Sequence, residues 1–436
     1  MINNLKEYQK VDSYWYDKVP YHWKKTKNKY VFNQNKNIVG EDWERLTLLT
    51  MGKSGVKPRN MDGGGKFPAN FENYQTVEPN QLIFCLFDLD ETPRTVGISK
   101  DYGMITSAYD VFSTTENNDP NFWTYFYQML DDHKGLRPFY TGLRKVVRSE
   151  TFMGIEVFSP PLEEQKLISR YLDKTTEQID KLIDKIQKKI ELLKEQRMSL
   201  INQYVTKGLN PNMKMKDSSS KLIKHIPLHW IKTKIKYVAE IFGRIGYRGY
   251  TIEDIVDEAD GVITISPGNI FEDKFSIKNS TYLSWEKYFE SPEIQIFTND
   301  IVIVKTGSTI GKSSIIPESV PEMTINPQLI VLKNLKVNPK FLYYQTLCKF
   351  VKDSFYVEQT GSSTPTISQE KIKDFSILET SIQEQKEIVS FLDKETKLID
   401  NTLSNEKKRI DLLKEHRQCL IFEVVTGKIK VLENMI

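Results

Sequence analysis

At 436 residues the chain is too long for a single core and suits two globular domains of about 130–150 residues plus shared elements. Its 61 Lys and Arg against 58 Asp and Glu leave a net charge of +3, which excludes a strongly basic, nonspecific nucleic-acid coat but allows local basic patches. Cys85, Cys348 and Cys419 lack metal or redox spacing and the longest apolar runs, residues 82–87 and 301–304, are strand-sized, so a disulfide framework, a zinc site and a membrane span are not expected and a reducing cytoplasm is.

The first landmark is VPYHWKKTKNKYV at residues 19–31, which returns as IPLHWIKTKIKYV at 226–238. His22 and His229 stand beside Trp23 and Trp230, where packing accounts for them better than acid–base chemistry, and no acid, base and nucleophile constellation accompanies them. A first domain is expected over residues 1–160, with strands at 81–87 and 142–147 and a helix at 121–131. Its basic loop GKSGVKPR at 52–59 offers Lys53, Lys57 and Arg59, and the later stretch GLRPFYTGLRKVVRSE offers Arg137, Arg144 and Arg148. The SPPL string at 159–162 lacks the Asn and aromatic residue that grip a flipped base, and its prolines suit a helix start.

A long helix follows at 161–208. Leu172, Ile179, Ile186, Leu193 and Leu200 form one line, and Thr176, Ile183, Ile190, Arg197 and Tyr204 the next, with apolar residues alternating three and four apart. No Pro or Gly interrupts residues 162–207, so the rod would extend ~65 Å at 1.5 Å per residue. A polar linker at 209–225, containing SSS, leads to the second anchor.

The second domain is expected over 226–380, with strands at 261–265, 295–297, 301–305 and 329–332 and a helix at 339–352. GRIGYRGY at 243–250 offers Arg244, Tyr247, Arg248 and Tyr250 on a Gly-rich backbone that can approach phosphates or base edges. QTGSSTPTIS at 359–368 supplies small hydroxyls, among them Ser362, Ser363 and Thr364. VKTGSTIGKSS looks like a phosphate-binding loop, but three residues rather than four separate Gly307 from Gly311, and Pro317 would cut short a following helix. Ser308, Thr309 and Lys312 remain candidates for DNA contact.

The last segment, 381–436, repeats the first helix. Residues 164–209 and 384–429 are identical at 21 of 46 positions without a gap. The second seam holds Leu392, Ile399, Glu406, Leu413 and Leu420, then Thr396, Leu403, Ile410, Arg417 and Val424, so Glu406 breaks an otherwise apolar line. Neither rod is apolar all round, and each needs a partner; connectivity then requires the two to run antiparallel. The fold class expected is α+β: two mixed α/β domains separated by two long antiparallel coiled-coil helices in a pseudo-two-fold internal repeat. Like frames around unlike inserts fit a bipartite reader. Two other readings are a nucleotide-dependent enzyme using the 307–313 loop and a coiled-coil adaptor that binds proteins.

These strings together resemble the specificity subunit of a type I restriction-modification enzyme over nearly the whole length. The matching elements are PPLEEQ at 160–165, VTKGLNPNMKMKDS at 205–218, IPLHW at 226–230, GSSTPTIS at 361–368, SIQEQ at 381–385 and VVTGKI at 424–429. The resemblance implies two target-recognition domains, each reading one half of a split, asymmetric site in double-stranded DNA while the helices set the spacing. It further implies two methyltransferase (modification) subunits and restriction/translocase subunits as partners, with S-adenosylmethionine, ATP and Mg bound there, and no cofactor, metal or catalytic residue in this chain. The first domain departs from the pattern in lacking a GSSTPTIS string.

Overall fold

The computed structural model describes residues 8–52, 55–60, 70–220, 222–244, 246–271, 274–361 and 364–436. It forms two compact units: residues up to Gln187 together with Lys407–Ile436, and Lys188–Glu406. Two long helices, Leu162–Lys207 and Ile382–Val425, run through both units. Among the described residues no helix is long and apolar enough to cross a membrane.

In the first unit, β1 (Lys24–Lys27), β2 (Phe32–Asn35), β3 (Leu82–Phe84), β4 (Val96–Ile98), β5 (Asp110–Thr114) and β6 (Glu156–Ser159) frame the domain. Four of them make an antiparallel sheet in the order β2-β5-β3-β4, and β6 closes back onto β1 with Val157 opposite Thr26. Its core is aromatic. Phe84 lies 4.9 Å from Phe152 and 5.0 Å from Tyr127, ring centre to ring centre, beside the buried Phe32 and Phe112. The Tyr127 hydroxyl donates to Asn28 Oδ1 at 2.7 Å, and Asn28 Nδ2 donates to the Phe152 carbonyl at 2.8 Å, so the polar atoms in this core are satisfied.

In the second unit, β7 (Ile231–Lys234), β8 (Glu240–Gly243), β9 (Ile301–Val304), β10 (Ser313–Ile315), β11 (Leu329–Lys333) and β12 (Ser376–Glu379) repeat that plan: the sheet runs β8-β11-β9-β10, and β12 pairs with β7. The inserts that share little sequence therefore share one topology. Here the sheet contributes aliphatic side chains, packed against aromatics such as Trp230, Phe341 and Phe355, and Ile235 takes the place of Asn28. One face of β9 and β11 carries Ile301, Ile303, Ile330 and Leu332 against Phe341 and Leu342, while Val302, Val304, Leu329 and Val331 pack on Ile265, Ile294, Met323 and Ile325. Ile265, Met323 and Ile325 belong to an additional mixed sheet in which Gly261–Ile265 and Met323–Ile325 run parallel. Burial on both faces explains why β9 reads IVIV without alternation.

Each domain grips the start of the long helix that leaves it, and the grip is the same twice. Gln165 and Gln385 are fully buried. Gln165 Oε1 accepts from the Asp119 N–H and Gln385 Oε1 from the Asn338 N–H, each at 2.8 Å, while their amide nitrogens donate to the Pro160 carbonyl at 2.9 Å and the Thr380 carbonyl at 2.8 Å. Asp119 and Asn338 are themselves N-caps, each followed by Pro, of helices Pro120–Asp132 and Pro339–Leu347. One residue earlier, Glu164 meets His22 Nε2 at 2.6 Å and Trp23 Nε1 at 3.2 Å, and Glu384 meets His229 Nε2 at 2.8 Å and Trp230 Nε1 at 3.1 Å.

The anchors also receive a helix end. Gly427, at φ +72°, leaves no room for a side chain beside Pro20 and Trp23, and Gly208, at φ +74°, lies against Trp230 and Glu384. In the first unit the end of the second helix thus lies beside the start of the first, so the two run antiparallel. In the second unit the order of contacts says the same: Lys189 pairs with Glu406 at 2.5 Å, Arg197 with Asp400 at 3.1 Å, and the Tyr204 and Phe391 rings lie 4.5 Å apart. Arg417 and Asp180 reproduce the Arg197–Asp400 pair in the first unit at 3.2 Å. Along the seam Leu172, Ile179, Ile183, Ile186, Leu392, Ile399, Leu403, Ile410 and Leu420 are buried, and Ile190, Leu193, Leu200 and Leu413 are half-buried.

Three expected elements differ. Residues 142–147 form a turn closed by a Thr141–Val146 bridge rather than a strand, because Gly142 and Lys145 both adopt positive φ. The strand expected at 295–297 shrinks to a single bridge from Ile296 to Met323, hemmed in by a 3₁₀ turn at Pro292–Ile294 and a positive φ at Asn299. The helix expected at 339–352 breaks at Cys348, whose ψ of 151° is extended, and resumes as Lys349–Glu358.

Two outcomes are expected. Burial pushes the Glu384 carboxyl up, but hydrogen bonds from Thr380, His229 and Trp230 outweigh it and hold it below the ordinary range. Its stabilisation is therefore complete above the unfolded value of about 4.3 and is lost as pH falls through the depressed native value; Glu384→Gln should lower the unfolding temperature at pH 7, and the gap should narrow below pH ~4. Glu406→Ile, which restores the residue its repeat partner Ile186 carries, should raise stability by about 1–2 kcal/mol, since apolar replacement of a buried ion pair is commonly neutral or stabilising; thermal unfolding reads this, and a loss would show the Lys189–Glu406 pair to be a net stabiliser.

Candidate nucleic-acid interface

Each domain brings two loops together, one between the third and fourth strands named above and one that leads toward its last strand. In the second unit these are residues 305–312 and 359–368. The Ile367 N–H donates to the Lys305 carbonyl at 3.0 Å and the Gly307 N–H to the Pro365 carbonyl at 2.8 Å. Thr306 and Thr366 hydroxyls meet at 2.8 Å, and Thr360 and Thr366 exchange backbone hydrogen bonds. Gly307 and Gly361 sit at φ +108° and +89°, backbone that a side chain would strain. The result is a ledge of small residues with exposed Ser308 and Thr364 and half-buried Thr309 and Lys312.

Lys305 stands at the base of that ledge. It is half-buried and has no ion-pair partner among the described residues, and burial alone pushes its ammonium below the ordinary lysine range. A partly desolvated cation among Gly and Thr is matched to an acceptor brought from outside, such as a phosphate or a base edge.

The first unit builds the same pair of loops. The Val147 N–H donates to the Leu86 carbonyl at 2.9 Å and the Asp88 N–H to the Arg144 carbonyl at 2.9 Å, the counterparts of the Ile367–Lys305 and Gly307–Pro365 bonds. The Thr141–Val146 bridge likewise answers Thr360–Thr366. Leu86 thus occupies the place of Lys305, and it is buried. Charge replaces hydroxyls here: Arg144 binds Asp88 at 2.6 Å, Arg137 binds Asp90 at 3.3 Å, and Lys145 binds Asp90 at 3.0 Å and Glu91 at 2.9 Å. Hydrogen bonding from Arg144 and from Lys145 holds the Asp88 and Asp90 carboxyls below their ordinary range.

The GRIGYRGY segment is organised from within. Arg244 is 5% exposed, and its guanidinium donates to the Ile325 carbonyl at 3.1 Å, the Thr324 hydroxyl at 3.1 Å and the Arg248 carbonyl at 3.3 Å, with Tyr250 under it at 5.4 Å. Arg248 reaches Glu293 at 3.3 Å. Tyr250 packs against Val262, Leu283 and Tyr288.

Residues 228–415 match the family described as type I restriction modification DNA specificity domain. Over 290 residues, 65% of this chain, the sequence is 27% identical to the type I restriction enzyme MjaVIII specificity subunit of Methanocaldococcus jannaschii, and the match spans 64% of that relative's own length. Both matches make part of the chain similar to type I restriction-modification specificity subunits. Its fold is similar to a chain solved in work on the complex assembly and conformational transition of the type I R-M system, with a TM-score of 0.69 at 11% identity, covering 94% of this chain and 99% of that one. The HsdS subunit from Thermoanaerobacter tengcongensis aligns over 94% of this chain and 98% of its own at 13% identity, with a TM-score of 0.48.

The fold gathers Ser308, Thr309, Lys312 and Thr364 around one loop pair, and Arg137 and Arg144 around the other. Lys57 and Arg59 are exposed at the end of a separate hairpin, Leu49–Gly52 with Gly55–Pro58. Lys53, Ser362, Ser363 and the Tyr247 side chain lie outside the described residues. The GSTIGKSS run leads into β10 rather than a helix, so it lacks the helix N-terminus a phosphate-binding loop requires. Among the described residues no His, Cys, Asp and Glu grouping could hold a metal ion. Pattern reading missed Lys305, Asp88, Asp90 and Glu91, although a lysine directly after the buried IVIV strand was a usable signal.

Arg244→Ala should lower the stability of the second unit by about 2–4 kcal/mol by stripping a buried charged donor from three acceptors. Thermal unfolding checks this, and an unchanged midpoint would show that the loop does not depend on Arg244.

Proposed function

We propose that the chain is the non-catalytic, sequence-reading subunit of a type I restriction-modification complex, with each domain reading one half of a bipartite, asymmetric duplex site. The observation that carries this is the recurrence of one loop-pair scaffold with different chemistry: hydroxyls, glycines and a lysine with no ion-pair partner among the described residues in one domain, arginines over an acidic loop in the other. A shared scaffold presents side chains alike, and different side chains select different bases. Ser308, Thr309, Lys312, Thr364 and Lys305 are the contacts favoured in the second domain, with Lys57, Arg59, Arg137 and Arg144 in the first. Arg248 is partly exposed and could exchange Glu293 for a base edge, whereas Arg244 acts by shaping the loop.

The long helices set the half-site spacing, with centres about one helical turn, roughly 34 Å, apart. They also dock two methyltransferase subunits. Seam identities between the repeats follow from packing, but the identical pairs Lys188 and Lys408, Leu192 and Leu412, and Glu195 and Glu415 are exposed, so packing within the chain does not demand them. A surface repeated on solvent-facing positions suits one kind of partner bound twice. In this reading adenine methylation with S-adenosylmethionine and ATP- and Mg-dependent cleavage belong to partner subunits, in the cytoplasm.

Mapping of methylated adenine in host DNA with and without this gene should show loss of one split, asymmetric motif. Replacing residues 359–368 with the corresponding loop of another member should then change one half of that motif and leave the other. Unchanged methylation in a host shown to contain active partner subunits would overturn the proposal, as would a loop exchange that altered both halves.

A further inference from the structure

The two loop pairs differ in net charge. Residues 305–312 and 359–368 together carry Lys305 and Lys312 and no acid, whereas residues 86–92 and 137–147 carry Asp88, Asp90 and Glu91 against Arg137, Arg144 and Lys145. All six of these charges are engaged with one another. Arg144 holds Asp88 through two nitrogens, at 2.6 and 3.2 Å; Asp90 is shared by Arg137 and Lys145; and Lys145 also reaches Glu91. The acids belong to one loop and the cations to the other, and backbone bonds from Asp88 N to Arg144 O and Val147 N to Leu86 O hold the loops in register. Nothing about the fold demands this: the second domain closes the same loops with hydroxyls and backbone alone.

We propose that Asp88 and Asp90 are specificity-determining residues that act against the wrong partner, holding the cations of the first domain away from phosphates of unrelated DNA. This rests on the DNA-reading function proposed above. A duplex of arbitrary sequence offers backbone phosphates without a matched set of base edges, and each phosphate must displace a carboxylate already bound at hydrogen-bonding distance. The correct half-site adds base acceptors and donors that phosphate lacks, such as guanine O6 and N7 for Arg144 or a cytosine amino group for a freed carboxylate. Discrimination of this kind comes from a competing interaction that the right partner alone overcomes. The side chains of Arg137 and Arg144 are 65% and 69% exposed, so the pairs are weak enough to exchange on binding. Among the described residues, the Lys305 and Lys312 loop pair of the second domain carries no acid of this kind.

The test is binding of the full chain to random-sequence duplex across a salt series. The double variant Asp88→Asn with Asp90→Asn should bind about 3- to 30-fold tighter near 0.1 M salt, with the slope of log affinity against log salt steeper by about two, one for each additional phosphate neutralised. Adding Arg144→Gln to the double variant should cancel about one unit of the gained slope, because Asp88→Asn frees this arginine for phosphate. Lys305→Ala should weaken binding. If the double variant binds no tighter, or adding Arg144→Gln to it leaves its slope unchanged, while Lys305→Ala still weakens binding, the gate is overturned and the DNA-reading function stands. If none of the four proteins binds duplex, both are overturned.

Discussion

The hydrogen bonds of Gln165 and Gln385 are the constraint on which the rest of this structure depends. Each glutamine is fully buried at the first turn of a long helix, and each satisfies a cap residue of the preceding domain helix while tying down the strand-to-helix junction. A buried amide left without partners is costly, so domain and helix are locked into one geometry. The neighbouring Glu164 and Glu384 extend the lock to the Trp-bearing anchor, and Gly427 and Gly208 bring the end of the other helix to the same anchor. The same small set of polar contacts thus determines where each helix starts, where the other ends, and that the two run in opposite directions.

On that frame, variation is tolerated where the frame does not reach. The two domains keep one strand order and one loop-to-loop hydrogen-bond pattern, yet the sheet of one presents phenylalanines to its core and that of the other isoleucine, valine and leucine. Strand order follows from connectivity and from the anchor pairing of first and last strands, both held by backbone hydrogen bonds. Core identity needs only volume and apolarity. The paired loops inherit position from the sheet and chemistry from their own residues, so their side chains can change without changing how the chain folds.

Polar groups on the seam follow a related logic. Arg197 and Arg417 look out of place in a heptad line, but each meets an aspartate of the opposite helix, Asp400 and Asp180, which are themselves repeat partners. Such pairs favour one register and one direction more than they favour stability. Glu406 has no such twin. It is buried and met by Lys189, a local solution to a local substitution.

The sequence by itself determined the internal repeat, the extents of both long helices and their seams, and the anchors, because periodicity and recurring strings are local properties that survive without knowledge of contacts. The buried β-strands at 261–265, 301–304 and 329–333 were legible from their apolar runs for the same reason. What only the tertiary structure decided was which residues share a site. Leu86 and Val147, or Lys305 and Ile367, lie some sixty residues apart, and nothing in either segment signals its partner. Arg244 and Arg248 are four residues apart in one basic string, yet burial turns the first into a loop strut and leaves the second able to reach outward. Charge in a sequence is only potential. Its use is set by what the fold places within about 3 Å of it, and carboxylates on a different loop are invisible to any reading that moves along the chain.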